Sequence, residues 1–179
     1  LFANQPNVFI AGDLLWYPVE GNNRLRKVDA KTGLISAFAG FGRAGFGGDG
    51  GPARAAVLNG PRALAIDPAG TVFVADLLNC RIRRIDATTD AISTIAGNPV
   101  ADGTGGWLAA QTGDGGPMAL ARFAAPRGLA LEPTTGDLYV ADAERDTAFH
   151  TIRKLDMKTG LASTVAGDRK STRLNSSHT

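Results

Sequence analysis

Residues 71–97 read TVFVADLLNCRIRRIDATTDAISTIAG, a stretch with three short strand signals separated by turn residues. The signals are TVFVAD (Thr71–Asp76), RIRRID (Arg81–Asp86) and AISTIAG (Ala91–Gly97), and RALAID (Arg62–Asp67) precedes them as a fourth. Each signal alternates in hydrophobicity or is rich in β-branched residues, and each is bounded by Pro, Gly, Asn or Asp. The stretch therefore predicts four short antiparallel strands joined by tight turns.

The same pattern occurs twice more. LLWYPVEGNNRLRKVDAKTGLISAFAG (Leu14–Gly40) and DLYVADAERDTAFHTIRKLDMKTGLASTVAG (Asp137–Gly167) align with residues 71–97, and the closing Ala-Gly pairs are 57 and 70 residues apart. The longer interval holds 13 extra residues: eight between Gly97 and Gly113, one in the turn PTTGD, and four between Asp142 and Ile152. Insertions confined to loops are typical of a repeated unit of rigid strands.

Four antiparallel strands in a unit of about 50 residues are typical of one blade of a β-propeller. We therefore expect an all-β fold, a partial β-propeller with about two full blades and a partial one. Residues 1–47 are the partial first blade, because only Asn7–Ala11 could supply part of its innermost strand. Residues 48–112 are the second blade with its glycine-rich loop, and residues 113–167 are the third. A helical solenoid would need a 3.6-residue periodicity, which the chain has only briefly.

The last segment, 168–179, reads DRKSTRLNSSHT and lacks apolar periodicity. Residues 168–178 match the translation of one reading frame of a common short-read sequencing adapter, so we expect a disordered, non-native tail; a natural polar tail is the alternative. Without the tail, sixteen basic and sixteen acidic residues remain, and the net charge falls from +2 to 0. Overall charge then gives no reason to expect a nucleic-acid partner. Because the chain begins at Leu1, we also expect that the natural N-terminus is missing.

Residues 61–86, PRALAIDPAGTVFVADLLNCRIRRID, and residues 126–156, PRGLALEPTTGDLYVADAERDTAFHTIRKLD, resemble NHL repeats. The matching features are the Pro-Arg-x-Leu-Ala start, the Tyr/Phe-Val-Ala-Asp strand, the Asn-x-Arg-Ile-Arg strand and the Thr-Val-Ala-Gly close. The GDGGPA loop resembles a long-loop form common in bacterial extracellular or cell-envelope proteins. The resemblance implies that the chain is a truncated fragment of a propeller that usually has six blades. The first unit departs from the repeat, since Pro18 and Val19 stand where Ala-Asp is expected, and the third lacks the Asn and Arg.

Little in the sequence indicates catalysis or a cofactor. Cys80 is the single cysteine, and His150 is the only histidine outside the tail, so a histidine-rich metal site cannot be built. The glycine-rich loops, Gly48–Ala53 and Gly113–Met118, have one Asp each and neither EF-hand nor phosphate-loop spacing. We expect no catalytic residue, no cofactor and no metal. The loops are interpreted as turns between blades, in which a proline starts a short helical turn.

Two pairs of equivalent residues have both a structural and a functional interpretation. Asp76 and Asp142 end the second strands, where a carboxylate can bind a metal or, as we favour, accept hydrogen bonds from turn amides. Arg62 and Arg127 precede the innermost strands, at the mouth of the expected channel, where they could meet an anionic ligand. We favour a repeat-wide structural contact for these arginines, because structure repeats whereas a binding site is usually asymmetric.

Partner binding is expected where the repeats differ, in the two long insertions. Exposed aromatic residues on variable loops are common hot spots of interfaces. The candidate partner-binding residues in the insertions are Trp107, Gln111, Arg145, Phe149 and His150. Arg62 and Arg127 are added to this set as candidates for the channel mouth.

These observations favour a non-catalytic binding or scaffold module, extracellular or in the cell envelope, that recognises a protein or carbohydrate partner. The alternative is a piece of a propeller enzyme, such as a lactonase-like hydrolase, whose metal-binding acids lie in missing blades. RNA binding, as in some eukaryotic NHL proteins, is a third interpretation. It needs a basic face, and the scatter of Lys and Arg along the strands and the neutral charge without the tail count against a nucleic-acid partner. No apolar run reaches the roughly 18 residues of a membrane span. Terminal blades with exposed edge strands lead us to expect self-association of the fragment.

Overall fold

The repeated strand signals form three sheets in the computed structural model, which describes residues 8–104, 110–143 and 150–167. Each sheet has four antiparallel strands in chain order, with neighbouring strands joined as hairpins. Blade 1 comprises β1 (Phe9–Ala11), β2 (Leu14–Val19), β3 (Arg24–Asp29) and β4 (Ile35–Ala39). Blade 2 comprises β5 (Pro61–Ile66), β6 (Val72–Asp76), β7 (Arg81–Ile85) and β8 (Ile92–Ala96). Blade 3 comprises β9 (Pro126–Leu131), β10 (Leu138–Ala143), β11 (His150–Asp156) and β12 (Leu161–Ala166).

The all-β propeller architecture expected from the repeats is therefore confirmed. The innermost strand of blade 1 is a three-residue segment, Phe9–Ala11, so the sequence before the first recognisable repeat does supply it. The described residues contain no α-helix; the helical elements there are single turns at Glu20–Asn22, Ala53–Ala55, Leu77–Asn79 and Met118–Leu120. Two of these turns directly follow Pro52 and Pro117, as the glycine-rich loops predicted. None of them has the length or apolar character needed to cross a membrane.

The hairpin turn before each outermost strand has one conformation in all three blades. In blade 2, the Oδ1 atom of Asp86 accepts hydrogen bonds from the amides of Thr88 (3.0 Å) and Thr89 (3.1 Å). The residue that ends the turn then adopts a positive φ, which is 55° at Asp90 and 69° and 73° at the equivalent Gly33 and Gly160. Glycine occupies two of the three equivalent positions because a positive φ favours it.

The glycine that closes each repeat lies against the neighbouring strand. A Cβ atom at Gly97, whose φ is 106°, would lie 2.5 Å from the carbonyl oxygen of Cys80. Built Cβ atoms at Gly40 and Gly167 meet the equivalent carbonyl oxygens of Asn23 and His150. Backbone approaches backbone too closely there for any side chain, which explains why all three repeats end in glycine.

The hydrophobic core lies between the blades, because successive side chains of a strand point to opposite faces of the sheet. One face of blade 2, which we call its leading face, packs on blade 1; it comprises Leu64, Val72, Val74, Ile85 and Ile92. The opposite face, its trailing face, packs on blade 3; it comprises Ala63, Ala65, Phe73, Ala75, Ile82 and Ala96. Blade 1 contributes Trp16, Leu25 and Ala39 to the first core, and blade 3 contributes Leu138, Val140, Leu155 and Ala162 to the second. Each interface thus joins a trailing face to a leading face.

Candidate functional site

The described ends of the two insertions lie at one end of blade 3. Strands β10 and β11 pair Ala143 with His150, so the insertion at 144–149 begins and ends at this pair. The other insertion ends near Gln111, whose buried Nε2 atom donates a 2.8 Å hydrogen bond to the carbonyl oxygen of Asp142. The Nε atom of Arg127 donates a 2.6 Å hydrogen bond to the carbonyl oxygen of Ala143. We call Gln111, Arg127, Asp142, Ala143 and His150 the blade 3 rim.

The carboxylate of Asp142 fixes the blade 3 rim to the segment that precedes β9. Its Oδ1 atom accepts a hydrogen bond from the Ala125 amide at 2.7 Å, and its Oδ2 atom accepts one from the Ala124 amide at 3.2 Å. Burial raises the pKa of Asp142 to about 6, although these hydrogen bonds and the charge of Arg153 act in the opposite direction. The Asp142 carboxyl, whose pKa is raised, therefore lies at the end of β10, beside the described ends of both insertions.

Asp76 holds the equivalent place in blade 2. Its Oδ1 atom accepts a hydrogen bond from the Asn59 amide at 2.7 Å, and burial raises its pKa. The Nδ2 atom of Asn79 donates to Oδ2 of Asp76 (2.8 Å) and to the carbonyl oxygen of Gly45 (2.7 Å). The interpretation of Asp76 and Asp142 as acceptors of backbone amides is confirmed. Asn79 links Asp76 to the loop that precedes blade 2.

Three of the candidate partner-binding residues come together at the rim. Gln111 is buried and fixes the base of its insertion, Arg127 is half-buried, and His150 is exposed. Arg62 is also half-buried but lies one blade away, near the start of β5. Trp107, Arg145, Phe149 and the tail at 168–179 lie outside the described residues. Partner binding by any of these residues stays a prediction, as do the domain boundaries assigned from the sequence.

Sequence reasoning missed two fully buried arginines, Arg83 and Arg153. Each lies on the third strand of its blade, at a β-bulge where the register with the outermost strand shifts. The Nη1 atom of Arg83 lies 3.2 Å from Oδ2 of Asp76, and its Nη2 atom lies 2.5 Å from Oδ1 of Asp49. A buried guanidinium needs such partners, because an unpaired charge in the interior is costly.

Blade 3 repeats this arrangement with one difference. The Nη2 atom of Arg153 lies 2.9 Å from Oδ1 of Asp114, and it donates to the carbonyl oxygen of Thr112 at 3.1 Å. Its Nη1 atom donates to the carbonyl oxygen of Arg122 rather than to Asp142. The single aspartate of each glycine-rich loop thus pairs with a buried arginine. The signal was present in the sequence, as one Asp in each loop and one Arg in each matching strand.

The innermost strands border two apolar clefts. One, of about 280 Å³, is lined by Phe9, Ile10, Leu64, Ala65, Ile66, Leu129, Ala130 and Leu131. The other, of about 490 Å³, adjoins it at Ile66 and Leu131 and extends to Gly12 and the hairpin turns that follow β5 and β9. Strands β1, β5 and β9 contain no Asp, Glu or His. Across the described ranges, no group of three or more His, Cys, Asp or Glu residues is arranged to hold a metal ion.

Comparison with known proteins gives short matches in sequence. No protein-family model matches the chain. A stretch of 65 residues is 42% identical to the protein SUPPRESSOR OF QUENCHING 1, chloroplastic, of Arabidopsis thaliana, and covers 36% of this chain and 6% of that protein. A stretch of 40 residues is 55% identical to teneurin-1 of Homo sapiens, and covers 22% of this chain and 2% of that protein. The chain therefore spans a small part of the length of these relatives.

Comparison of structures gives longer matches. A protein of unknown function from Bacteroides thetaiotaomicron superposes with a TM-score of 0.63 at 18% identity, over 85% of this chain and 32% of that one. An auxiliary nutrient binding protein from the same organism gives 0.57 at 18% identity, over 75% and 34%. A streptogramin B lyase gives 0.52 at 13% identity, over 88% and 38%. The chain covers about a third of the length of these proteins. These proteins are β-propellers, and their likeness to the three blades shows that this chain has the β-propeller fold.

Proposed function

We propose that the chain is a non-catalytic binding module of the NHL-repeat type that recognises a protein or carbohydrate partner at the blade 3 rim. The observation that carries the proposal is the convergence of the insertions. The hydrogen bond from Gln111 to Asp142 holds the described end of one insertion against strand β10, from which the other insertion begins, and Arg127 of β9 fixes the end of the same strand through Ala143. Variable loops held by a rigid scaffold are a common way to build a specific binding surface.

The chemistry of the rim fits a neutral or anionic partner surface. His150 is exposed, and Arg127 adds a half-buried cation whose Nε atom is fixed by the blade. Trp107, Arg145 and Phe149 add two aromatic residues and a further cation to the sequence of the insertions. Aromatic residues and arginine are enriched in binding hot spots, whereas a catalytic site would need converging acids or bases.

The difference in loop length between the repeats allows a direct test of this proposal. In one variant, residues 98–112 are replaced by residues 41–47, the shorter natural loop at the equivalent place after blade 1. The full chain and the variant are screened on a glycan array and a panel of extracellular matrix proteins, together with His150→Ala and Arg127→Ala. We expect binding that is lost in the loop variant and weakened in both point variants. Arg54→Ala is the matched control, because Arg54 is an exposed arginine of the loop before blade 2. Binding that survives the loop replacement would place the interaction elsewhere.

A propeller hydrolase is the alternative function. The innermost strands of these three blades offer no acidic or histidine side chain to a channel, so its metal-binding residues would all have to come from other parts of the protein. Lactone hydrolysis that depends on an added divalent cation would favour this alternative over the binding module.

A further inference from the structure

The two terminal blades each leave one apolar face uncovered. Blade 1 uses its trailing face against blade 2, and blade 3 uses its leading face against blade 2. The leading face of blade 1 and the trailing face of blade 3 therefore have no blade packed on them within the described residues. Each interface between neighbouring blades joins one trailing face to one leading face, so the two uncovered faces are of the two types that pack together elsewhere in the molecule.

The exposed fractions of equivalent side chains show how much apolar surface the uncovered faces present to solvent. On the trailing face, Ile82 of blade 2 is 0% exposed, whereas the equivalent Ile152 of blade 3 is 36% exposed. On the leading face, Ile92 of blade 2 is 0% exposed, whereas the equivalent Ile35 of blade 1 is 52% exposed. Leu64 of blade 2 is likewise 0% exposed.

The remaining positions on the two faces follow the same pattern. Val8 of blade 1, which stands where blade 2 has Leu64, is 59% exposed. Ala130 and Val165 add exposed apolar side chains to the trailing face of blade 3. Both uncovered faces thus keep the aliphatic side chains that are buried at equivalent positions inside the molecule.

We propose that a second copy of this chain docks the leading face of its blade 1 on the trailing face of blade 3. Such a contact continues the interface between blades 1 and 2 and between blades 2 and 3, with the same repeat positions meeting in the same order. A second copy supplies the matching half for each uncovered face, and the burial of aliphatic side chains favours the contact. The contact is head-to-tail, so it joins two different surfaces rather than one surface to itself.

A head-to-tail contact predicts a particular response to two single variants. Ile152→Glu places a charge on the blade 3 face and leaves the blade 1 face intact, and Ile35→Lys does the reverse. In sedimentation of the 179-residue chain over a range of concentrations, we expect reversible oligomers. Each variant alone should dissociate, with a dissociation constant raised by at least about tenfold, which corresponds to about 1.4 kcal/mol. An equimolar mixture of the two variants should restore a dimer, because one intact copy of each face is present.

The control is Leu78→Glu, an exposed leucine on blade 2, which has both faces covered. It should leave the association unchanged. Val165→Glu and Val8→Lys are second variants for the two faces, used if circular dichroism shows that an isoleucine variant is unfolded. A monomer at all concentrations would overturn the proposal and leave the faces for another occupant, such as a further blade of a longer chain. Association that survives both variants, as contacts between edge strands would, or that is not restored by mixing, would overturn it as well.

Discussion

The side-chain amide of Gln111 and the main-chain carbonyl of Asp142 form a buried 2.8 Å hydrogen bond between residues 31 positions apart. It ties the described end of the insertion at 98–112 to strand β10, from which the insertion at 144–149 begins.

Replacing Gln111 by alanine should therefore loosen the rim as well as the fold. The variant leaves the Asp142 carbonyl without this donor and opens a small cavity, and we expect a loss of about 1–3 kcal/mol in the free energy of unfolding. In limited proteolysis, the protease should cut residues 98–112 of the Gln111→Ala variant faster than the same residues of the unmodified chain. Thr104→Ala is the control, because Thr104 is an exposed residue of the same insertion. Equal stability and equal cleavage of Gln111→Ala and the parent would contradict the role assigned to this bond.

The pH dependence of stability should contain a contribution from Asp142. Its pKa in the folded state is raised to about 6 from the ordinary value of 3.8, so the folded state binds the proton more tightly than the unfolded chain. This contribution is complete below pH 3.8 and is lost as the pH rises to about 6. Asp142→Asn removes the titration, so the difference in unfolding free energy between parent and variant should change across this window and be constant above it.

The comparison between parent and variant isolates Asp142 from the surface carboxylates. Hydrogen bonds from turn residues lower the pKa values of Asp86 and Glu132 to about 2, so their effect has the opposite sign and falls at lower pH. Both groups are present in parent and variant alike. Urea denaturation at a series of pH values measures the difference. A difference that is flat between pH 3.8 and 6 would contradict the raised pKa.

The buried arginines should differ in the cost of their removal. Arg83→Met leaves the buried Asp76 without its ion pair, and we expect a loss of about 3–5 kcal/mol. Arg153→Met should cost less, because Asp142 keeps its two backbone amides and Asp114 is partly exposed to water. Arg84→Met is the neighbouring control: its pair with Asp86 lies at the surface, where the loss should be about 0–1 kcal/mol. Thermal and urea unfolding give the order, and equal losses at Arg83 and Arg84 would refute it.

The closing glycines should tolerate no side chain. Gly97→Ala forces a Cβ against the Cys80 carbonyl oxygen, so the outermost strand of blade 2 must move away from its neighbour. Gly115→Ala is the matched control, because it also has a positive φ, 77°, but nothing lies within 4 Å of its Cβ position. We expect the control to lose about 1–2 kcal/mol from backbone strain alone and Gly97→Ala to lose clearly more. Denaturant unfolding of both variants tests this, and an equal loss would show that the close approach relaxes freely.

The local features of the fold were predictable from the sequence because they depend on neighbouring residues. The turn ending at Asp90 is set by Asp86 and by a position where glycine is usual, and both stand within five residues. The burial of Arg83 was not predictable in the same way. An arginine in a polar-looking strand reads as exposed, and its partner Asp49 lies 34 residues earlier. Only the recurrence of the same Asp and Arg in two repeats could have linked them.

The candidate site was predictable in composition and not in geometry. The unequal spacing of the repeats locates both insertions in the sequence, and with them Gln111 and His150. Their proximity in the structure depends on two tertiary features. Strands β10 and β11 pair Ala143 with His150, and Gln111 donates a hydrogen bond to Asp142 of β10. Tertiary contacts of this kind leave no periodic trace in one sequence.

The glycine-rich loop before blade 2 belongs to two blades at once. The amides of Gly40 and Phe41, which follow blade 1, donate to the carbonyl oxygens of Ala53 and Ala56, while Asp49 of the same loop pairs with Arg83 of blade 2. The unit that repeats in the sequence ends at the closing glycine, but the unit that is held together by contacts also includes the glycine-rich loop that precedes its strands. A shortened protein intended to begin with blade 2 should start near Gly45 rather than at Pro61, since a cut at the strand would remove Asp49, one of the two counter-ions of Arg83. Grafting a blade into another propeller has the same requirement: the strands must travel with the loop that precedes them.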